Sequence, residues 1–269
     1  MKWQERYRSE RKKELGAERR EKSPLNRLKE INPASIEWLK EYGINLETGD
    51  RIEIAPSIQH FQGGVKIRKK GNTSLKGLYA AGECAGGQHG ANRPGRNALL
   101  DGQVFGKIAG REAALEARSV DRRQGVSSNQ IRGFKERFKK MGKGRKASEV
   151  RREVQSIASG SASVVRTEEG LKKGLNALKG LKKEKVALEQ EGLIFALETE
   201  NMLDVTEMVL RACLTREESR GPHLFFSRFE DPQPQPSQEP KWRKYIVIQN
   251  QGGRMVLKKK VPNQQNYRR

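Results

Sequence analysis

Cysteine is nearly absent from this chain, with only Cys84 and Cys213 in 269 residues. They lie far apart with no Cys-x-x-Cys spacing. That excludes a disulfide framework and a cysteine-built zinc site, and it fits a reducing compartment. Cys213 falls in an apolar helical pattern and reads as a small core residue. Long apolar runs are also missing. Nothing approaches a membrane span, and no secretory apolar region follows the charged N-terminus. The expectation is therefore a soluble, cytoplasmic protein. No GxGxxG fingerprint, P-loop, HExxH or GxSxG occurs, and no metal site is expected. Acidic residues are the minority: 33 Asp and Glu against 55 Lys and Arg give a net charge of +22. This balance favours an acidic partner: nucleic acid, an anionic membrane face, an acidic subunit or a polyanionic cofactor. The basic runs "DRRQG" and "RFKKMGKGRK" lack interleaved aromatics and match no nucleic-acid module, so nucleic acid is not favoured.

Apolar residues are 34% of the chain and charged residues 33%. That allows a core beside long solvated segments. Residues 1–32 alternate acid and base at near-helical spacing, as a basic arm or a solvated helix. After Pro33, "ASIEWLKEYG" spaces Ile36, Leu39 and Tyr42 as one short helix stopped by Gly43. "RIEIAP" (51–56) and "VKIR" (65–68) alternate as strands, and the apolar run "GLYAAGE" (77–83) reads as a buried strand. From Asn97 to about Arg118 the pattern is helical. Gly102, Gly106 and Gly110 recur every fourth residue, which predicts close backbone approach of a neighbouring element. Residues 119–149 read as a basic linker. Three apolar faces follow within 150–219: Val150, Val154, Ile157, Ser161 and Val164; Leu171, Leu175 and Leu178; and Phe195, Met202, Val205, Val209 and Ala212. They predict a small antiparallel three-helix bundle. Residues 220–269 read as an extended segment. The proline-rich "DPQPQPSQEP" precedes "KYIVIQN" and "RMVLKKK", two strands joined near Gly252–Gly253.

Three places carry candidate chemistry. In "HGANRPGRNALLDGQVFG" (89–106), Arg93 stands among small residues just before a helix start. A guanidinium on a turn stiffened by Pro94 matches a carboxylate bidentately, and the free amides of Asn97, Ala98 and Leu99 favour polar acceptor atoms. The alternative is a surface ion pair at a helix entry. Glu83 follows Gly82 at the end of an apolar run. A carboxylate there contacts ligand hydroxyls in α/β folds, or else caps a helix or joins an ion pair. In "QHFQGG", His60 can donate to an oxyanion or serve as acid or base, or pack as an ordinary loop histidine. Gly63–Gly64 permits a tight turn or a close ligand approach.

Taken in order, "APSIQHFQGGVKI", "GLYAAGE", "HGANRPGRNALLDGQVFGKIAG", "ALETENMLDV" and "REESRGPH" resemble one family. It comprises succinate dehydrogenase and fumarate reductase flavoprotein subunits, L-aspartate oxidase and adenylylsulfate reductase. The resemblance runs from about Pro33 to about Val261. It implies an α+β chain: the C-terminal part of an FAD-binding domain (33–118), a helical bundle and an extended C-terminal segment. It implies an FAD-dependent oxidoreductase with Arg93 clamping a small carboxylate substrate where hydride moves. Gln59, His60 and His89 are the further substrate-contact candidates. Gly82, Glu83, Asn97, Ala98 and Leu99 would face the FAD, and Arg220 would belong to the ESRG turn. Partners would be a chain carrying the N-terminal FAD-binding half and an iron–sulfur subunit, with peripheral placement at a membrane face as an option. Departures from the pattern are specific. Gln59 stands where the family has its substrate histidine, with His60 one position on. Arg96 replaces a small residue, and Ala98 a serine. The Gly-rich half and the capping domain have no counterpart, so activity is expected only with a partner or missing half. The competing expectations are a truncated, inactive flavoprotein fragment and a non-catalytic basic interaction protein docking an acidic subunit or nucleic acid.

Overall fold

The computed structural model describes residues 24–53, 58–119, 127–140, 144–188, 190 and 192–262. The chain divides into two compact units, Met1–Gln59 and His60–Arg269.

In the first unit, Pro24–Ile31 (α1) and Pro33–Glu41 (α2) are helical. Pro33 at the first position of α2 fits there because its missing amide would have no helical partner. Ile36 is the residue α2 buries. Gly43, at φ +77, ends the helix, its N–H reaching Lys40 O at 2.9 Å. Glu47 pairs with Lys29 and Lys40, and these ammonium groups pull its pKa down to about 2. Of the expected basic arm, residues 1–23 lie outside the described residues. Of the expected strand over 51–56, residues 51–53 carry no regular structure and 54–56 lie outside the described residues.

In the second unit, Val65–Lys66 (β1) pairs in parallel with Ala85–Gly86 (β2). The strand expected over 65–68 is thus two residues long. A Cβ on Gly64 would collide with the Cys84 carbonyl oxygen. That is why position 64 needs glycine, while a Cβ on Gly63 would meet none of the described residues within 4 Å. The run at 77–83 is not a buried strand. Thr73 N–H bonds Leu78 O and Ala80 N–H bonds Gly71 O, each at 3.0 Å, so the run folds back on 71–73 and leaves Leu78 exposed. Gly82–Cys84 then forms a single 3-10 turn. Asn97–Ser119 (α3) is the long helix the periodicity predicts. Among the described residues its close approach is not at the glycine stripe, since a Cβ on Gly102, Gly106 or Gly110 would meet none of them within 4 Å. The tight contact is at Gly71, φ +72, where a Cβ would lie 2.7 Å from Ala109 Cβ.

Within the basic segment 119–149, Ser128–Lys140 (α4) is helical. Arg145–Lys146 (β3), Ala147–Ser161 (α5), Arg166–Thr167 (β4), Glu168–Leu181 (α6), Val186–Ala187 (β5), Gly192–Thr215 (α7) and Phe225–Phe226 (β6) follow. Helices α5, α6 and α7 form the predicted bundle. Val150, Val154, Leu171, Leu178, Ala196, Leu203 and Leu210 make its core, with Cys213 among them. Burial pushes the Cys213 thiol pKa up. Val164 and Val205, expected on the core faces, are 36% and 47% exposed. Thr167 starts α6 by accepting the Gly170 N–H at 3.1 Å, with Glu168 and Glu169 in the first turn, where the helix end favours negative charge. Short parallel pairs β3–β5 and β4–β6 tie the connections to the bundle. Tyr245–Gln251 (β7) and Arg254–Lys260 (β8) form the antiparallel hairpin expected at Gly252–Gly253. Both turn residues have positive φ, as a two-residue hairpin turn requires. The chain is α+β.

Candidate functional site

The three sequence candidates meet in the second unit. Glu83, on the 3-10 turn, accepts the Phe61 N–H at 2.9 Å through Oε1, and its Oε2 lies 3.5 Å from His60 Nδ1. The two segments are therefore tied together, while the carboxylate stays 52% exposed on its open side. His60 and His89 meet edge to face, ring centroids 6.1 Å apart. Gln59 is exposed and is the last residue of the first unit.

The loop of Arg93 is held from three directions. From the segment before β1, Gln62 Oε1 accepts the Arg93 N–H at 3.0 Å, and Gln62 Nε2 reaches Asn92 Oδ1 at 3.4 Å. From α3, the buried carboxylate of Asp101 accepts Gln88 Nε2 at 3.1 Å and lies 3.6 Å from His89 Nε2. From the C-terminal segment, Gly221 (φ +57) packs so closely that a Cβ there would collide with the Ala91 carbonyl oxygen and lie 3.3 Å from Asn92 Cβ. Arg93 itself is half-buried, and its guanidinium donates to Pro94 O at 3.2 Å. Arg96 is the one non-glycine residue at positive φ, +68, among the described residues. Its left-handed backbone favours glycine at that position.

Beyond the loop, Asn97, Ala98 and Leu99 form the first turn of α3. Leu99 is 83% exposed, and a Cβ on Gly82, Gly87 or Gly90 would meet nothing within 4 Å. This is an open face of small residues and helix-start amides, with one carboxylate beside it.

The ESRG turn is anchored by Glu218, fully buried though ionisable. Arg216 Nη1 donates to it at 2.8 Å and Arg220 Nε at 2.6 Å; Gln238 N–H also donates to it. Burial alone would raise its pKa, but Arg220, the Gln238 amide and Arg216 hold it below the usual range. Further along the turn, burial pushes His223 down to about 4. Its Nδ1 faces Arg166 Nη1 at 2.9 Å, and a guanidinium only donates. Nδ1 therefore accepts, and Nε2 carries the proton toward Arg216 O at 3.1 Å. Gln62 and Asp101 are the two residues that sequence reasoning missed. Each acts through residues distant in the chain but close in space, and a lone polar residue such as Asp101 in a helix reads as solvent-facing.

Comparison with known proteins defines the class. The family model described as "FAD binding domain" matches residues 16–99, and "Fumarate reductase flavoprotein C-term" matches residues 151–266. A fumarate reductase (CoM/CoB) subunit from Methanothermobacter marburgensis is 36% identical over 217 residues, covering 77% of this chain and 38% of that protein. Among solved structures, Mycobacterium smegmatis Sdh1 in complex with UQ1 superposes with a TM-score of 0.76 at 28% identity, covering 90% of this chain and 42% of that one. Escherichia coli quinol fumarate reductase FrdA gives 0.72 at 25% identity, covering 87% and 42%. The fold is that of a flavoprotein. The chain belongs to the fumarate reductase and succinate dehydrogenase flavoprotein family, and it spans less than half the length of the curated relatives it matches.

The residues present fit an FAD. Of the three helix-start amides expected to be free, the Asn97 N–H is bonded to Pro94 O at 3.3 Å; the amides of Ala98 and Leu99 could donate to polar ring atoms and the half-exposed carboxylate of Glu83 could accept hydroxyls, with small residues around it.

Proposed function

We propose that this chain supplies the flavin- and carboxylate-facing side of an FAD-dependent oxidoreductase. The observation that carries this reading is the convergence of Glu83, His60, His89 and the Arg93 loop at the open start of α3. FAD, when bound, supplies hydride transfer to or from a small carboxylate substrate. Arg93 orients the substrate by pairing with its carboxylate. His60 and His89 are the groups able to hold or pass a proton beside it. Glu83 and the first-turn residues Asn97, Ala98 and Leu99 hold the cofactor, next to Gly82. Gln59 is a further substrate-contact candidate. The regions 33–118, 150–219 and 220–269 act as flavin-binding part, helical bundle and extended segment.

The rest of the pocket comes from a Gly-rich FAD-binding half, on this polypeptide or another, and an iron–sulfur subunit is the proposed electron partner. No described helix is long and apolar enough to cross a membrane, and cytoplasmic or peripheral placement belongs to this proposal. The test is co-expression with a Gly-rich FAD-binding half. A visible flavin band should co-purify with the chain and be lost in Glu83→Ala. No flavin with any such half overturns the reading. The net charge of +22 favours a second reading, a basic docking protein. A steep salt-dependent affinity for DNA, with no flavin, would select it.

A further inference from the structure

We infer that Asp101 and Gly221 are positioning residues that preorganise the Arg93 loop from two separate parts of the sequence. The inference rests on the reading of Arg93 as the carboxylate clamp. A clamp gains affinity when its geometry is set before the ligand arrives, because the ordering cost is then already met by the fold. The loop spans residues 87–96 and contains Gly87 and Gly90 at positive φ, with open space around both. Left to itself it is conformationally permissive.

Gln62 holds the Arg93 end of the loop, and two further contacts remove the rest of that freedom. Asp101 is buried, four residues into α3; it accepts the Gln88 Nε2 hydrogen bond at 3.1 Å at the loop's entry and lies 3.6 Å from His89 Nε2. Its carboxylate thus locks the loop's first arm to a rigid helix. Gly221 backs the middle of the loop at Ala91 and Asn92, immediately before Arg93. Its own position is fixed by the buried Glu218 between Arg216 and Arg220, and Arg220 also reaches Glu239 at 2.6 Å. The ESRG turn therefore acts on the clamp without touching a substrate. The C-terminal segment, far along the chain from the flavin-binding part, shapes the carboxylate site through one glycine. Neither residue has a reacting atom to reach, so each acts on Arg93 by geometry.

The experiment uses the full chain and the variants Asp101→Ala, Asp101→Asn and Gly221→Ala. Hydrogen exchange of loop 88–96 is read first, with no flavin needed. Asp101→Ala and Gly221→Ala should speed exchange there at least tenfold and leave α5 unchanged. Asp101→Asn keeps an acceptor for Gln88 and should fall between Asp101→Ala and the unsubstituted chain. Unchanged loop exchange in Asp101→Ala and Gly221→Ala overturns the inference, as does equal acceleration throughout the bundle. In the flavin-loaded complex, KM for a dicarboxylate should rise at least tenfold, with kcat within about threefold and flavin content intact. A fall in kcat at constant KM also overturns it. Absence of flavin from every complex would instead overturn the reading of Arg93's role, and the exchange data would still decide the clamp.

Discussion

Glu218 is completely buried, and Arg220 donates to it through Nε at 2.6 Å and Nη2 at 3.2 Å. Removing one partner of a buried pair leaves the other charge uncompensated, which costs more than the pair contributes. Glu218→Ala should destabilise the chain by about 3 kcal/mol. Glu218→Gln, which keeps an acceptor for the Gln238 amide, should cost about half as much. Chemical denaturation checks both. A loss below about 0.5 kcal/mol in Glu218→Ala would show that water reaches the group.

Arg96 sits in the left-handed region at φ +68. A side chain there costs roughly 1–2 kcal/mol, while glycine carries an unfolded-state entropy cost of about 0.5–1 kcal/mol. Arg96→Gly should raise stability by about 1 kcal/mol, and Arg96→Val should lower it. If Arg96→Gly lowered the melting temperature, the side chain would be making contacts that outweigh its backbone strain.

His223 gives the second unit a pH dependence of definite sign. Its pKa falls from 6.5 to about 4 through burial, so the folded chain keeps it neutral where the unfolded chain binds a proton. Its contribution is complete above pH 6.5 and is lost as pH falls toward 4. The full effect is on the order of 3 kcal/mol. His223→Gln should flatten the stability profile between pH 6.5 and about 4. An unchanged slope would show that other groups carry it.

Among the described residues, nothing lies within 4 Å of where a Cβ on Gly102, Gly106 or Gly110 would stand. Alanine at each should stabilise α3 by about 0.5–1 kcal/mol. A loss of stability instead would mean that an element packs on this face.

Much of this was legible in the residues. Apolar spacing located α5, α6 and α7, because each buries one stripe against the other two. The resemblance carried by HGANR and ESRG led to the family, and Arg93, Glu83 and His60 do lie in one neighbourhood. What failed did so for tertiary reasons. The run at 77–83 is apolar like a buried strand, but hydrogen bonds to 71–73 hold it as a folded-back loop. The glycine stripe looked like a packing seam, while the tight contact on α3 is Gly71 against Ala109. Asp101 and Gln62 left no mark, since their partners are recognisable only once the chain is folded.

Arg93 is proposed to face a carboxylate beside a flavin. The most direct measurement is dicarboxylate titration of the flavin-loaded complex, followed by the change in flavin absorbance. The unsubstituted chain should give a saturable change. Arg93→Lys, a point charge without the bidentate fork, should weaken it at least tenfold, and Arg93→Ala should abolish it with flavin content unchanged. Equal affinity in Arg93→Ala and the unsubstituted chain would contradict the account.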